Sequence, residues 1–295
     1  MMRVTNTLIQ RNATITLQQN LQAMAKAQAQ VSSGQKYTAF SDDPQAQSSV
    51  MQTSSSLRAL DQYKRNIDDA TSRANMEDSV LQQLGDSVTQ ATQIAMQEGN
   101  ATSTAATRQT AKAQIDSIID SAVALGNTKY QNDYLFGGND VTDAPLSNTP
   151  PFYTGAAADS GSHTTEIAAG QIFKSNHNAK EIFLDTGTLQ ALKDLSTALG
   201  ANDTVGIAAA SASLQSAQQG IQAVVGDLGA RENQLDNAGS NLDALKTNLT
   251  TFKSSLSEVD QETAITELVT RQTAYQSAML ATSRVIGMTL TDYLK

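Results

Sequence analysis

The chain has 295 residues, no cysteine and no tryptophan, and aromatic residues make up only 4% of it. Its formal net charge of −9 argues against a general nucleic-acid binder, because such proteins usually present a basic surface. Without cysteine there is no disulfide framework and no thiolate that could bind a metal or act as a nucleophile. Because aromatic residues are so scarce, any hydrophobic core must be thin and built from Leu, Ile, Val and Ala.

The N-terminal region is unlike a secretory signal, and no stretch approaches the roughly 18 apolar residues of a membrane span. We therefore expect a soluble chain with no membrane partner, whose export would need a route without a conventional signal peptide. The first 41 residues carry four basic and no acidic side chains. Within them Leu17, Leu21, Met24 and Val31 follow helical spacing, which predicts an amphipathic helix whose apolar face packs against a partner.

Capping signals separate the first two predicted helices. The first runs over about residues 4–31 and ends at Gly34, a residue suited to the left-handed conformation of a C-terminal cap. Asp43 can cap the second helix, and Pro44 suits its first turn because proline lacks a backbone N–H. The second helix is predicted over residues 44–98, a length of about 80 Å.

Heptad repeats run along this second helix and along a predicted C-terminal helix. Seven apolar residues stand at unbroken seven-residue intervals from Leu214 to Leu256. A stripe of this length needs an equally long helix beside it, as in a coiled coil. The second helix supplies a matching series, and a third helix over residues 104–125 completes a small bundle. The predicted rod core consists of Leu60, Ile67, Leu81, Val88, Leu214, Ile221, Leu228, Leu235, Leu242, Leu249 and Leu256.

The composition changes after Tyr130, where three of the four prolines and both histidines are concentrated. Helical periodicity is lost there, and the residues before the C-terminal helix include several β-prone runs and one short helix. The β-prone runs at residues 151–154, 164–168, 171–174 and 181–184 predict a small, mostly β insert.

The heptad phase breaks at residues 260–263, and an apolar face then continues towards the C-terminus. Because a phase shift changes the partner of a helix, we expect the C-terminal segment to pack against the N-terminal arm. Both arms are poor in large apolar residues and could bury little by themselves. We predict that they form the surface for subunit assembly, through Leu8, Ile15, Leu17, Leu21, Met24, Val31, Met279, Val285, Ile286, Leu290, Tyr293 and Leu294.

These patterns predict a mainly α fold: an elongated antiparallel helical bundle or coiled-coil rod, formed by the N- and C-terminal helices, with a small β-rich inserted domain. Residues 1–41 would be an N-terminal assembly arm that is helical on assembly. The rod would consist of residues 42–138 and 205–260, and residues 139–204 would be the variable, mostly β insert. Residues 261–295 would be the C-terminal assembly arm.

No group of residues has the spacing of a catalytic, cofactor or metal site. His163 and His177 fall in the irregular insert, where a lone surface histidine is the simpler interpretation. The Gly137-Gly138 pair lacks the flanking residues of a phosphate-binding loop. We therefore expect no enzymatic activity, cofactor, metal or small-molecule substrate.

Motifs at both ends of the chain resemble those of a known family. The flagellin superfamily has an N-terminal signature similar to Val31-Ser32-Ser33-Gly34 followed by Ser41-Asp42-Asp43-Pro44. Within that superfamily Pro44 resembles the hook–filament junction proteins, because flagellins commonly have Ala-Ala-Gly there. The resemblance covers about residues 1–138 and 205–295. It is also carried by residues 62–67 (QYKRNI), 134–138 (YLFGG), 264–268 (AITEL) and 289–294 (TLTDYL).

This resemblance implies a structural subunit of the bacterial flagellum that forms a junction ring between hook and filament. Its partners would be further copies of itself, the first hook-associated protein, flagellin and a flagellar export chaperone. The implied location is extracellular, reached through the flagellar type III channel without signal cleavage. Paired terminal helices would form the inner tube of the assembly.

Other interpretations of the sequence stay open. The chain could be a flagellin, although Pro44 and the ending Asp292-Tyr293-Leu294 argue against a filament subunit. A coiled-coil scaffold or adhesin unrelated to flagella is a more distant alternative. An enzyme in the insert would require a catalytic His163 or His177.

Overall fold

The computed structural model describes residues 2–138, 141–154 and 161–293, and helices dominate this part of the chain. The α-helices are α1 (Met2–Ser33), α2 (Pro44–Glu98), α3 (Ala105–Gly126), α4 (Thr188–Gly200), α5 (Thr204–Ser257) and α6 (Gln261–Tyr293). The strands are β1 (Lys129–Tyr130), β2 (Asp133–Tyr134), β3 (Thr164–Ala168) and β4 (Gln171–Lys174), and Lys180–Leu184 form a π-helical turn.

The first helix ends, and the second begins, at the predicted caps. Asp43 accepts a hydrogen bond from the backbone N–H of Ala46 at 2.9 Å, directly before α2 begins at Pro44. Gly34 follows α1 with φ at +69°, in the left-handed region that glycine adopts without a Cβ clash. Local signals therefore predicted these helix bounds correctly.

The chain divides into two compact units. We call residues 1–59 together with residues 245–295 the terminal unit, and residues 60–244 the central unit. Helices α2 and α5 each contribute a segment to both units.

In the central unit α2 and α5 pack against each other in opposite directions. Lys64 Nζ in α2 lies 3.2 Å from Asp243 Oδ2 in α5. At the other end of the pair, a Cβ atom on Gly99 would lie 3.8 Å from Cγ2 of Ile207. Residue numbers therefore rise along one helix as they fall along the other, which confirms the predicted antiparallel pairing.

One hydrophobic cluster joins the insert to these helices. It contains buried residues of α2, α3, α4 and α5, together with apolar side chains from the segments between them. Phe136 and Phe183 meet edge to face in it, with ring centroids 6.1 Å apart. Because each fully buried large apolar side chain contributes about 1.5–3 kcal/mol, a core shared in this way holds the insert against the helices.

The predicted core stripe is buried over most of its length. Nine of its residues, from Leu60 in α2 to Leu242 in α5, are buried. Leu249 and Leu256 are only half-buried, so the prediction that they belong to the core is corrected. Both lie in the terminal unit, where few side chains are fully covered.

Two of the four predicted β-prone runs are strands. Residues 164–168 and 171–174 form the antiparallel pair β3–β4. Residues 151–154 form only an isolated bridge, between Leu146 and Tyr153. The strand predicted at residues 181–184 is wrong, because this run lies in the π-helical turn. A short apolar run has the same composition in a buried strand and in a buried helical turn, so periodicity cannot distinguish them.

The surface positions expected for the histidines are also wrong. His177 is 5% exposed, and His163 is half-buried with its ring Nδ1 at 2.9 Å from the Ser175 hydroxyl. None of the helices within the described ranges has the length and apolarity needed to cross a bilayer.

Leu235 of α5, which is 1% exposed, offers a test of the central core. Leu235→Asp would bury a carboxylate without a partner, so we expect the free energy of unfolding to fall by about 3–5 kcal/mol. Urea unfolding followed by circular dichroism measures this loss. Val205→Asp is the matched control, because Val205 is 78% exposed in the first turn of the same helix, where the helix dipole favours an acid. Equal destabilisation by both variants would contradict the assignment of Leu235 to the core.

Candidate assembly surface

Helices α1 and α6 lie against each other in the terminal unit. A Cβ atom on Gly34, directly after α1, would lie 3.4 Å from Nε2 of Gln261, the first residue of α6. The end of α1 is therefore beside the start of α6, and the two helices run antiparallel. This confirms the prediction that the C-terminal segment packs against the N-terminal arm.

Small side chains form the interior of this unit. Among its described side chains only Ala27, Thr53 and Ala264 are buried. A buried methyl or methylene group contributes about 0.8 kcal/mol, several times less than a complete leucine side chain. The terminal unit therefore gains little stability from its own core.

Large apolar side chains of the terminal unit face outwards instead. Of the fifteen strongly exposed large hydrophobic residues in the described part of the chain, eleven belong to this unit, although it is the smaller one. Exposed apolar residues at such density mark an interaction surface. The eleven are Leu8, Ile15, Leu21, Phe40, Met51, Leu245, Phe252, Ile265, Val269, Met279 and Leu280.

The predicted assembly residues are distributed along both arms. Four of them, Leu8, Ile15, Leu21 and Met279, are exposed, while Leu17, Met24 and Val31 are half-buried. The backbone of Val285, Ile286, Leu290 and Tyr293 forms part of α6. The side chains of these four residues, and the whole of Leu294, lie outside the described part of the structure.

Helical periodicity did not reveal the exposed apolar residues that lie outside the predicted arms or off their apolar faces. Leu245 and Phe252, for example, are 46% and 50% exposed and stand one heptad apart on α5. Their seven-residue spacing is visible in the sequence, and each stands three residues after a member of the Leu214–Leu256 stripe, at the second apolar position of the heptad. A search for this second heptad position on α5 would have found them.

Backbone hydrogen bonds join the two connectors of the terminal unit. The N–H of Lys36 donates to the carbonyl of Ser257 at 2.7 Å, and the N–H of Val259 donates to the carbonyl of Gly34 at 3.0 Å. The connector between α1 and α2 is thereby paired with the connector between α5 and α6. Both chain reversals are held at a common point, which orients α1 and α6 together.

Asp42 organises the connector between α1 and α2. One of its carboxylate oxygens lies 2.8 Å from Lys26 Nζ, and the other accepts from the N–H groups of Thr38 and Ala39. The Lys26 hydrogen bond, followed by those two backbone donors, lowers the pKa of Asp42 below its ordinary value. The pKa of the neighbouring Asp43 is also lowered, chiefly by the hydrogen bond from the N–H of Ala46.

Charge is divided unequally between the two units. The central unit contains 10 basic and 22 acidic side chains, whereas the terminal unit contains 10 basic and 7 acidic ones. The net charges are therefore −12 and +3. Copies of the chain would repel one another through their central units, and salt would screen this repulsion.

Comparison with known proteins places this architecture in a family. The model of the bacterial flagellin N-terminal helical region matches residues 4–140, and that of the C-terminal helical region matches residues 211–294. These matches cover most of the chain and most of each long helix. The chain belongs to the bacterial flagellin family.

Individual relatives show which members of the family this chain resembles. Flagellar hook-associated protein 3 of Escherichia coli is 25% identical over 307 residues, which span 92% of this chain and 96% of that protein. The crystal structure of Bacillus cereus FlgL has a TM-score of 0.58 at 23% identity and covers 68% of this chain and 97% of its own. The flagellar junction protein FlgL of Legionella pneumophila has a TM-score of 0.58 at 14% identity, with 72% and 100% covered. These structures share the fold of this chain.

The hydrogen bonds of Asp42 predict how acid affects the connector. Because its pKa is lowered in the folded protein, its ionised form adds stability above the ordinary aspartate pKa, and this contribution is lost as the pH falls through the lowered value. Protection factors from amide hydrogen exchange at Thr38 and Ala39 should stay constant from pH 7 to about 5 and fall below about pH 4.

The matched variants are Asp42→Asn and Asp185→Asn. Asp42→Asn should lower protection at Thr38 and Ala39 already at neutral pH, since the carboxylate acceptor is gone. Asp185 pairs with Lys180 in the central unit, so Asp185→Asn should leave those two amides unchanged. Unchanged protection in Asp42→Asn would contradict the role of Asp42.

Proposed function

We propose that this chain is a structural subunit of the bacterial flagellum and joins the hook to the flagellin filament. Flagellin-type helical regions at both ends support a place in the flagellum. The similarity to hook-associated protein 3 extends over nearly the full length of that relative and supports the junction in particular. The residue Pro44, which follows the Asp pair, fits the same assignment.

The exposed apolar surface of the terminal unit is the observation on which the mechanism rests. A unit with three buried described residues and eleven exposed large apolar ones gains most by burying them against other molecules. In the proposed mechanism terminal units of neighbouring copies cover one another's apolar faces in a ring. The acidic central units repel one another and favour contact through the terminal units.

The individual binding partners of the chain follow from the same proposal. The ring would contact the first hook-associated protein on one side and flagellin on the other. Inside the cell an export chaperone would bind the chain before assembly. The chain would then leave through the flagellar type III channel without signal cleavage. In its extracellular position it would act mechanically, without catalysis or a cofactor.

A bulk filament subunit is the alternative within the family. Similarity to hook-associated protein 3 over 92% of the chain does not favour it. The two roles also differ in a simple property, because a filament subunit polymerises without a junction partner. Filaments formed by the purified protein alone would contradict the junction role.

Deletion of the gene tests the function directly. A strain without this protein should still make hooks but should release its flagellin into the medium, because the filament has nothing to attach to. Electron microscopy of the hooks and immunoblotting of the medium measure these two outcomes. Normal filaments and motility in the deletion strain would contradict the proposal.

Leu21, which is 45% exposed on α1, tests the assembly surface. Leu21→Asp should abolish complementation of the deletion strain, because a charge on this apolar face is costly to bury in a contact between subunits. The secreted amount of the variant and its helical content should match the wild type. Gln22→Asp is the control, since it adds the same acid at the exposed neighbouring position and should complement normally. Loss of folding or secretion in Leu21→Asp would contradict a role confined to assembly.

A further inference from the structure

His177 is buried between two carboxylates that belong to different helices. Its ring Nδ1 lies 2.5 Å from Oε1 of Glu77 in α2. Its Nε2 lies 2.9 Å from Oδ2 of Asp227 in α5. Glu77 is fully buried, whereas the Asp227 side chain is 53% exposed. A single side chain of the insert thus bridges the two long helices of the central unit.

The geometry sets a requirement on the protons of this bridge. An ionised carboxylate only accepts hydrogen bonds, and a neutral imidazole carries one N–H and one bare nitrogen. If both carboxylates are ionised, both ring nitrogens can donate only when the imidazole carries its second proton. Glu77 also accepts from the backbone N–H of His177. A neutral ring would still leave one bare nitrogen facing a carboxylate oxygen, and two acceptors at hydrogen-bond distance repel each other.

Neighbouring groups on α5 hold the bridge in place. Arg231 Nε donates to the same Asp227 oxygen at 2.6 Å, and Nη1 of Arg231 reaches the carbonyls of Lys174 and Asn176. Burial opposes the ionisation of Asp227, but the charges and hydrogen bonds of Arg231 and His177 outweigh it and lower the pKa of Asp227. Asp227 is therefore an ionised acceptor at neutral pH.

Further acidic groups surround the bridge on both helices. Burial, together with the negative charges of Asp78, Asp236 and Glu77, raises the pKa of Glu232 on α5. Acidic groups of both long helices therefore lie close to Glu77, one end of the bridge.

The insert contributes its own polar groups. Lys174 and Glu181 pair with each other at 2.9 Å, so their charges largely offset one another beside the bridge. Asn176 donates to the carbonyl of Leu135 at 2.8 Å, and the N–H of Ala179 donates to the carbonyl of Phe136 at 2.9 Å. The insert is thus fastened to the segment before it as well as to the helices.

We propose that His177 is an imidazolium in the folded protein and acts as a proton-dependent clasp between the insert and helices α2 and α5. Loss of its second proton at alkaline pH breaks one of the two hydrogen bonds and removes the cationic partner of the buried Glu77, whereas Asp227 keeps Arg231. The segment of the insert that contains β3, β4 and the π-helical turn then loosens from the helices. This inference concerns the folded monomer and holds whatever the chain assembles with.

Nitrogen-15 NMR of histidine-labelled protein tests the protonation state. The chain has only two histidines, so His163→Gln assigns both sets of ring signals. At pH 7.5 both ring nitrogens of His177 should carry a hydrogen. A bare nitrogen on His177, as expected if Glu77 instead held the proton, would overturn the proposal.

The pH dependence of stability tests the clasp itself. A proton held in the folded state adds stability at acidic and neutral pH, and this stability is lost as the pH rises. The urea midpoint of the wild type, and the protection of amides in residues 164–174, should therefore fall as the pH is raised above neutral. His177→Gln should start from a lower midpoint at pH 7 and show no further alkaline loss.

Two matched variants complete the test. His163→Gln should keep the alkaline loss of the wild type, because the ring of His163 contacts a hydroxyl and not a carboxylate. Glu77→Gln should remove the loss, because an amide can donate to the bare ring nitrogen and the second proton is no longer needed. A wild-type pH profile in both His177→Gln and Glu77→Gln would refute the clasp.

Discussion

The antiparallel packing of α2 and α5 is the contact on which the central unit depends. Each helix presents a narrow apolar stripe that cannot be buried within its own helix, so each stripe is covered by the other and by the elements between them in sequence. Leu81 and Val88 of α2 and Leu214 of α5 are fully buried in the same cluster. The third and fourth helices and the segments between them add buried side chains to this same cluster.

The terminal unit, by contrast, buries few apolar side chains. Its interior relies on alanine, and its larger apolar side chains remain uncovered. Short side chains let α1 and α6 approach closely but leave little apolar area buried within one chain. In the proposed assembly, burial of the outer faces by other subunits would add stabilisation, because a partner that binds the folded state favours it. The paired connectors at Gly34 and Val259 prepare this surface by holding both chain reversals together.

A polar cluster, and not only apolar packing, fixes the insert on the helices. Apolar contacts are non-directional, so by themselves they tolerate small shifts of one element over another. The hydrogen bonds of His177 with Glu77 and Asp227 demand defined positions of three segments at once. Buried polar networks of this kind select one arrangement because any displacement leaves a charged group without its partner.

Local signals in the sequence determined the helices and their partners. Asp43 and Pro44 marked the start of α2, Gly34 marked the end of α1, and heptad spacing predicted the antiparallel pair; each signal depends on residues close together in the chain. The phase break near Asp260 likewise predicted that α6 packs on α1. The exposed arm residues Leu21 and Met279 could be predicted because they lie on the apolar faces of their helices, which helical spacing reveals.

Burial was decided only by the tertiary structure, because it depends on which distant segment lies opposite a side chain. Leu249 and Leu256 continue the periodicity of the buried stripe, yet they are half-buried because their surroundings belong to the thinly packed terminal unit. His177 stands in a polar run typical of a surface loop. The fold places it against Glu77 and Asp227, which are 100 and 50 residues away, and no local pattern records that encounter.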